Sequence, residues 1–298
     1  IEEFVGTTLD KLEELSKKQG ELIGSSSGFK AIDGVTQGLQ DEVLIVIAGR
    51  PSMGKTSIAM NIAENIAKND DGCVAVFSLE MSSQSLTSRM LASMAGISQS
   101  NVKTGNLTDR QWEKLIQQAK KLEEMNIFID DTPNISPMEI RAKSRRLAKQ
   151  YRKQGGVKLV VVDYIQLMQM PGRTENRVNE LSEISRALKY LAKEINAPVI
   201  VLSQLNRAVE QRPNKRPQMS DLRDSGAIEQ DADLIFMLYR DFVYNKNEEW
   251  KNVAEVRLVK HRNGPTKDLL LSFRDELTRF GDLAPEVMNS YAQDRTAD

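Results

Sequence analysis

The chain has 298 residues, 41 Lys+Arg against 42 Asp+Glu, 40% apolar and 28% charged residues, which excludes collagen-like, mucin-like and wholly disordered chains. One cysteine (Cys73) and one histidine (His261) exclude a disulfide framework, a cysteine-based zinc site and a multi-histidine metal site within one chain. A net charge near −1 argues against a uniformly basic nucleic-acid coat and leaves room for a local basic groove.

Residues 1–24 read as a charged helix followed by a linker. Phe4, Val5, Leu9, Leu12 and Leu15 form a narrow apolar stripe at helical spacing. Gly20 fits a helix stop, and Gly24-Ser-Ser-Ser-Gly28 reads as a flexible joint. Such a helix either packs on its own domain or swings away to dock on a neighbouring subunit. The chain starts with Ile and shows no signal peptide, so we expect a fragment of a longer protein in a reducing cytoplasm. No apolar run reaches 18 residues, so no membrane-spanning helix is expected.

Beyond the joint, strands and helices alternate. Buried strands are expected at 43–48, 73–78, 127–129, 159–163, 199–203 and 234–238. Helices are expected at 56–68, 84–95, 109–125 and 137–153. This alternation implies βαβ units and a parallel sheet covered on both faces. Strands at 254–260 and 268–273, joined by Arg262-Asn-Gly-Pro265, read as a β-hairpin. The expected fold is therefore a doubly wound, mostly parallel sheet with antiparallel strands at its C-terminal edge. The expected division is a linker helix and joint at 1–24, one domain at 25–283, and a loose polar tail at 284–298.

Gly49-Arg-Pro-Ser-Met-Gly54-Lys55-Thr56 is a complete G-x-x-x-x-G-K-[ST], following a buried strand and opening a helix. The glycines let backbone N–H groups converge on phosphate oxygens, and the helix start adds its positive dipole end. Gly49, Ser52, Gly54, Lys55, Thr56 and Ser57 are the expected nucleotide contacts. Lys55 is expected to reach the β- and γ-phosphates of ATP, and the Thr56 hydroxyl to bind Mg²⁺. Three further strands end in polar groups at the rim where open α/β sheets bind ligands. Asp163, after Leu159-Val-Val-Val162, is the second expected Mg²⁺ ligand. Glu80, after Val76-Phe-Ser-Leu79, is the candidate base for the attacking water. Gln204, after Val199-Ile-Val-Leu-Ser203, is the candidate sensor of the γ-phosphate.

With these residues in view, the chain resembles the C-terminal ATPase domain of replicative DNA helicases of the DnaB type, with a RecA-like core, from about residue 5 to 282. The stretches that carry the resemblance are Gly49–Thr56, Phe77–Met81, Val162–Met168, Leu202–Arg207, Asp221–Asp233 and Lys260–Pro265. The resemblance implies ATP-driven unwinding by a ring-shaped homo-hexamer on single-stranded DNA. It also implies primase and helicase-loader partners, primase mainly through an N-terminal domain lying outside this chain. It gives Lys260 and Arg262 a trans-acting role on the γ-phosphate held by the next subunit, and assigns His261, where relatives commonly carry Gln, no role. The stretch Asp221–Gly226 resembles the loop that lines the central channel. Arg223, and backbone donors near Asp224 and Gly226, are its candidate DNA contacts, although relatives usually carry Glu at position 224. The helix at 7–19 resembles the family's linker helix.

The remaining charged stretches carry less. The acids at 221, 224, 229, 231 and 233 read as helix-start charges rather than a metal site. The loop 171–179, with Gly172, Arg173 and Arg177, is a second candidate DNA loop or a plain surface loop. The basic helix 137–153 reads as a solvated face or subunit contact, and 207–216 as a flexible basic segment. Aromatics make up only 5%, which favours grip on the phosphate backbone over base stacking. A RecA-like filament or regulatory ATPase without unwinding, and a small-molecule P-loop kinase, are the alternative readings.

Overall fold

The computed structural model describes residues 5, 6, 9, 13, 16, 20–170 and 176–297, with the side chains of 223–225 and 295–297 left aside. Nine strands among these residues form one sheet in the order β3-β2-β4-β5-β1-β6-β7-β8-β9. The strands β1 (Leu44–Gly49), β2 (Cys73–Ser78), β3 (Ile127–Asp130), β4 (Val157–Asp163), β5 (Val199–Gln204) and β6 (Leu234–Tyr239) run parallel. An antiparallel trio follows at the edge: β7 (Val253–His261), β8 (Lys267–Arg274) and β9 (Arg279–Asp282). The fold expectation stands, hairpin included.

The sheet is apolar on both faces because helices cover both. On one side Ile45 and Ile47 pack with α1 (Lys30–Thr36), α2 (Lys55–Asn69) and α3 (Ser83–Ala95), through Ile32, Ile58, Ile62, Ile66, Leu86 and Met90. On the other side Leu44, Val46 and Ala48 pack with α6 (Pro137–Gln150) and α7 (Arg177–Ile195) through Ile140, Leu147, Ile184 and Leu188. Short α4 (Gln99–Thr104) and amphipathic α5 (Asp109–Glu124) flank α3. α7 is absent from the elements expected above. Its buried Leu181, Ile184, Leu188 and Leu191 recur at steps of three and four, so the period was present in the sequence.

Four expectations need correction. The 24–28 stretch is a locked turn, not a flexible joint. Asp33, in the first turn of α1, accepts from Ser26 Oγ (2.6 Å), Ser27 N (2.9 Å) and Ser27 Oγ (2.7 Å), and Ser27 is fully buried. Asn65 Nδ2 of α2 donates to Ser27 O at 2.9 Å. Its glycines serve close packing: a Cβ on Gly24 would lie 2.3 Å from the Leu39 backbone, and Gly28 has φ +82° against Asn65. The tail is likewise not loose. It forms a C-terminal helix (Pro285–Ala297), with Tyr291 buried against Trp250 and Trp250 Nε1 donating to Asp294 at 2.7 Å. The basic helix ends at Gln150, short of 153; its solvated-face reading stands, since Arg141, Arg145, Arg146 and Lys149 are exposed, with part of its charge paired within the chain. Arg141 and Arg145 meet Glu194 of α7, and Lys143 meets Asp130 of β3. Finally, the basic segment 207–216 is pinned. Arg212 holds Asp221 at 2.7 Å, and Arg216 holds Glu255, a fully buried acid of β7 that also accepts from Tyr291. Of the expected 7–19 helix, Leu9, Glu13 and Ser16 are described, each helical and exposed; the rest lies outside the described residues.

Candidate active site

Parallel register sets the site before any side chain is considered. Gly49 at the end of β1 pairs with Gln204 at the end of β5, and Ser78 at the end of β2 pairs with Asp163 at the end of β4. Four strand ends therefore converge at one rim. Between β1 and α2 the chain turns through Ser52 (φ +67°) and Gly54 (φ +92°). At Gly54 a side chain is excluded twice, by the left-handed backbone and by the Phe280 ring, 2.9 Å from a Cβ placed there. Phe280 packs at a tilt against Phe273, ring centres 4.4 Å apart, so the antiparallel edge presses on the loop from behind. No side chain caps the start of α2, which leaves its first-turn N–H groups to an anion.

Thr56 Oγ1 donates to Asp163 Oδ2 at 2.7 Å. Asp163 is nearly fully buried, and its other oxygen, Oδ1, has no hydrogen-bond partner. Burial holds this carboxyl above its ordinary range, with the Thr56 hydrogen bond and Lys55 opposing and Glu80 reinforcing. Burial also lowers the Lys55 ammonium, against the pull of Asp163 and Glu80. Lys55 Nζ donates to the Arg50 carbonyl at 3.3 Å. An orphaned, buried carboxylate oxygen beside a hydroxyl is the donor set a hard divalent cation takes, so Thr56 and Asp163 fit Mg²⁺. Glu80 lies exposed in the turn between β2 and α3. The N-cap of α3 is Ser82, so Glu80 is free of capping duty and close enough to act electrostatically on Lys55 and Asp163.

Gln204 borders a cleft of about 340 Å³ with Arg50, Tyr164, Gln166 and Asn206. Sequence reasoning passed over Gln166. Its side chain accepts from Gln204 N (3.2 Å) and donates to Gln204 O (3.1 Å) and Ser203 Oγ (2.9 Å), fixing the end of β5 to the segment that follows β4. Arg89 on α3 was passed over as well. It lines a small cavity with Thr56 and Ser57, acts electrostatically on Asp163, and keeps a buried Nε without a partner. Gln166 lies within the Val162–Met168 stretch that carries the resemblance, though nothing in that stretch marks its contacts; Arg89 lies in no such stretch, and only packing brings it in.

Lys260 and Arg262 lie elsewhere. His261 pairs with Leu234 at the start of β6, whereas Gly49 pairs with Leu238 near its end. Four residues of strand, at ~3.3 Å each, set the hairpin about 13 Å along the sheet from this chain's own phosphate loop. Lys260 Nζ donates to Glu229 O at 2.5 Å, and half-exposed Arg262 pairs with Asp233 at 2.9 Å. Burial and the neighbouring Arg262 lower the Lys260 ammonium. His261 Nδ1 lies 3.1 Å from Pro265 O, within the hairpin. Of the acids doubted as a metal site, Asp221 pairs with Arg212, and Asp233 pairs with both Lys189 and Arg262.

The candidate DNA loop is a 3₁₀ helix, Met219–Ser225, leading into α8 (Gly226–Asp231). The side chains of Arg223 and Asp224 lie outside the described residues. Gly226 has right-handed helical angles and open space at its Cβ position. Of the second candidate loop, 171–175 lies outside the described residues, and Arg177 starts α7, paired with Glu180 and donating to the Gln166 and Met168 carbonyls.

A doubly wound sheet with a glycine-rich loop, an invading lysine and a hydroxyl–carboxylate pair defines a P-loop nucleotide-binding domain. Residues 24–282 match the family model of the DnaB-like helicase C-terminal domain, and the chain belongs to that family. It is 48% identical over 284 residues to the replicative DNA helicase DnaB of Geobacillus stearothermophilus, covering 95% of this chain and 62% of that protein. Against the DnaB of Pasteurella multocida it is 49% identical over 283 residues, covering 94% and 60%. The chain thus spans about three fifths of the length of these curated relatives. Among solved structures, an isolated ATPase domain superposes with TM-score 0.88 at 38% identity, covering 94% of this chain and 98% of that one. A DnaB-like replicative helicase, solved in a study of its interactions with primase, gives TM-score 0.87 at 39% identity, covering 93% and 67%.

Proposed function

We propose that this chain is the ATP-hydrolysing motor of a ring-shaped replicative DNA helicase, with each nucleotide held between two copies. The observation that carries the reading is the separation of Lys260 and Arg262 from their own phosphate loop. A cation hairpin about 13 Å along the sheet from Gly49 reaches a phosphate only in another copy. Lys55 and the first-turn N–H groups of α2 bind the phosphates, and Thr56 and Asp163 would hold Mg²⁺, which would neutralise the charge that develops on the phosphates. Glu80 takes the proton of the attacking water, and Gln204 hydrogen-bonds the γ-phosphate from the neighbouring strand end. Lys260 and Arg262 of the adjoining copy stabilise charge in the transition state. Hydrolysis loosens that interface, and the 218–226 loop, through Arg223 and backbone donors near Asp224 and Gly226, releases and regains single-stranded DNA. The helix expected at 7–19 holds the adjacent copy. A homo-hexamer, single-stranded DNA, primase and a loader are the partners this reading implies. Among the described residues no helix is long and apolar enough to cross a membrane.

The test mixes a Lys260→Ala/Arg262→Ala variant, whose phosphate loop is intact, with a Lys55→Ala variant, whose hairpin is intact, each nearly inert alone. Action across the interface predicts that the mixture regains turnover, because the first variant's phosphate loop then meets the second variant's hairpin. A trans cation supplies roughly 10³–10⁵ in rate, so the regained turnover stands far above that of either variant alone. A mixture no more active than the two variants measured apart, or native turnover that persists at concentrations where only monomers exist, would overturn the shared site.

A further inference from the structure

Arg50 is the first residue after the strand in the phosphate loop, yet its side chain turns out of that loop. Its guanidinium is only 8% exposed. Nε donates to Glu210 Oε1 at 2.9 Å and an Nη donates to the Leu205 carbonyl at 2.8 Å. Both acceptors belong to the stretch that continues β5 beyond Gln204. That stretch is tied in turn to the candidate DNA loop. Asn206 N donates to Asp221 O at 3.1 Å, and the Asp221 carboxylate holds both Gln218 N and Arg212 at 2.7 Å. On its other side, the Arg50 carbonyl is the acceptor for Lys55 Nζ. One residue therefore touches the phosphate-binding lysine and the root of the strand-gripping loop.

We propose that Arg50 is a positioning residue that couples the phosphate loop to the 218–226 loop, with Glu210 as its anchor. A triphosphate that draws Lys55 Nζ onto its oxygens takes a donor away from the Arg50 carbonyl. The peptide at Arg50 then turns, and its guanidinium carries Leu205 and Glu210 with it. Load on the DNA loop acts back along the same bonds, because coupling between two binding events is reciprocal. The buried guanidinium suits this role because its five donors sit in a rigid fork, so motion of the loop is transmitted rather than absorbed by a flexible stem. The inference rests on reading 218–226 as the loop that binds DNA.

The test is Glu210→Ala in the 298-residue chain, which removes the acceptor of Arg50 Nε. Glu210 is 44% exposed, so the truncation leaves no buried cavity. ATP turnover is measured with and without saturating oligo(dT), and oligo(dT) affinity is measured with ADP and with a non-hydrolysable ATP analogue. The expected result is basal turnover within about twofold of native, with DNA stimulation and the nucleotide-dependent difference in affinity reduced about fivefold or more. Glu210→Gln, which keeps an acceptor oxygen, recovers part of the stimulation. Native-like stimulation in Glu210→Ala would overturn the coupling. So would an equal loss of basal and stimulated turnover, which would make the pair a plain brace. A native chain that oligo(dT) fails to stimulate would overturn the loop reading, and the coupling with it, and differs from the other outcomes because it appears before any substitution.

Discussion

Replacing Asp33 with Ala tests whether residues 24–28 are a hinge or a built part of the domain. The carboxylate accepts three hydrogen bonds, from Ser26 Oγ, Ser27 N and Ser27 Oγ. Ser27 is fully buried, so in the variant its N–H loses this acceptor inside the fold. As a donor its hydroxyl keeps only a long contact to Phe29 O at 3.4 Å, while it still accepts from Phe29 N at 3.2 Å. Leaving a buried donor unsatisfied costs about 1–3 kcal/mol, and two donors are affected here. The half-buried Ser26 hydroxyl finds water and adds little. We expect a loss of about 3 kcal/mol, and less for Asp33→Asn, which keeps one acceptor oxygen. With an m-value of about 3 kcal/mol/M, the urea midpoint falls by roughly 1 M. Amide exchange at Ser27 and Phe29 should accelerate with it. A midpoint shift below about 0.3 M would refute the locked turn and restore the flexible joint.

Two predictions concern titration. Because burial holds the Asp163 carboxyl above its ordinary range, its protonation starts at higher pH than for an exposed aspartate. Mg²⁺ affinity, followed with a fluorescent ATP analogue, should therefore fall as pH drops through that raised value. The sign for folding is opposite: the folded chain binds this proton more tightly than the unfolded chain, so the group's contribution to stability is lost as pH rises from 3.8 through the raised value. A Mg²⁺ affinity that stays flat down to the ordinary carboxylate range would count against Asp163 as a ligand. Burial pushes the Cys73 thiol up to about 11, and the side chain is 1% exposed. An aromatic disulfide reagent at about pH 8 should leave the native chain unlabelled for about an hour and label it fully in guanidinium; fast native labelling would contradict the buried β2.

Much of this protein was legible in its sequence because the information is local. Apolar runs alternating with amphipathic segments announce a covered parallel sheet, and Gly49–Thr56 announces a phosphate cradle, since loop, lysine and hydroxyl are contiguous. Asp163, Glu80 and Gln204 were legible as polar groups ending apolar strands. What the sequence left open depends on partners far along the chain. Whether Gly24–Gly28 bends or locks is decided by Asp33 and Asn65, and whether the tail floats is decided by Trp250 and Glu255. Gln166 and Arg89 joined the site only when β4, β5, α2 and α3 were packed. The same holds for the hairpin cations, whose distance from their own phosphate loop follows from the antiparallel register of β6 and β7. Periodicity and contiguous motifs are properties of the chain itself, whereas burial and hydrogen-bond partnership are properties of the folded surfaces that close around it.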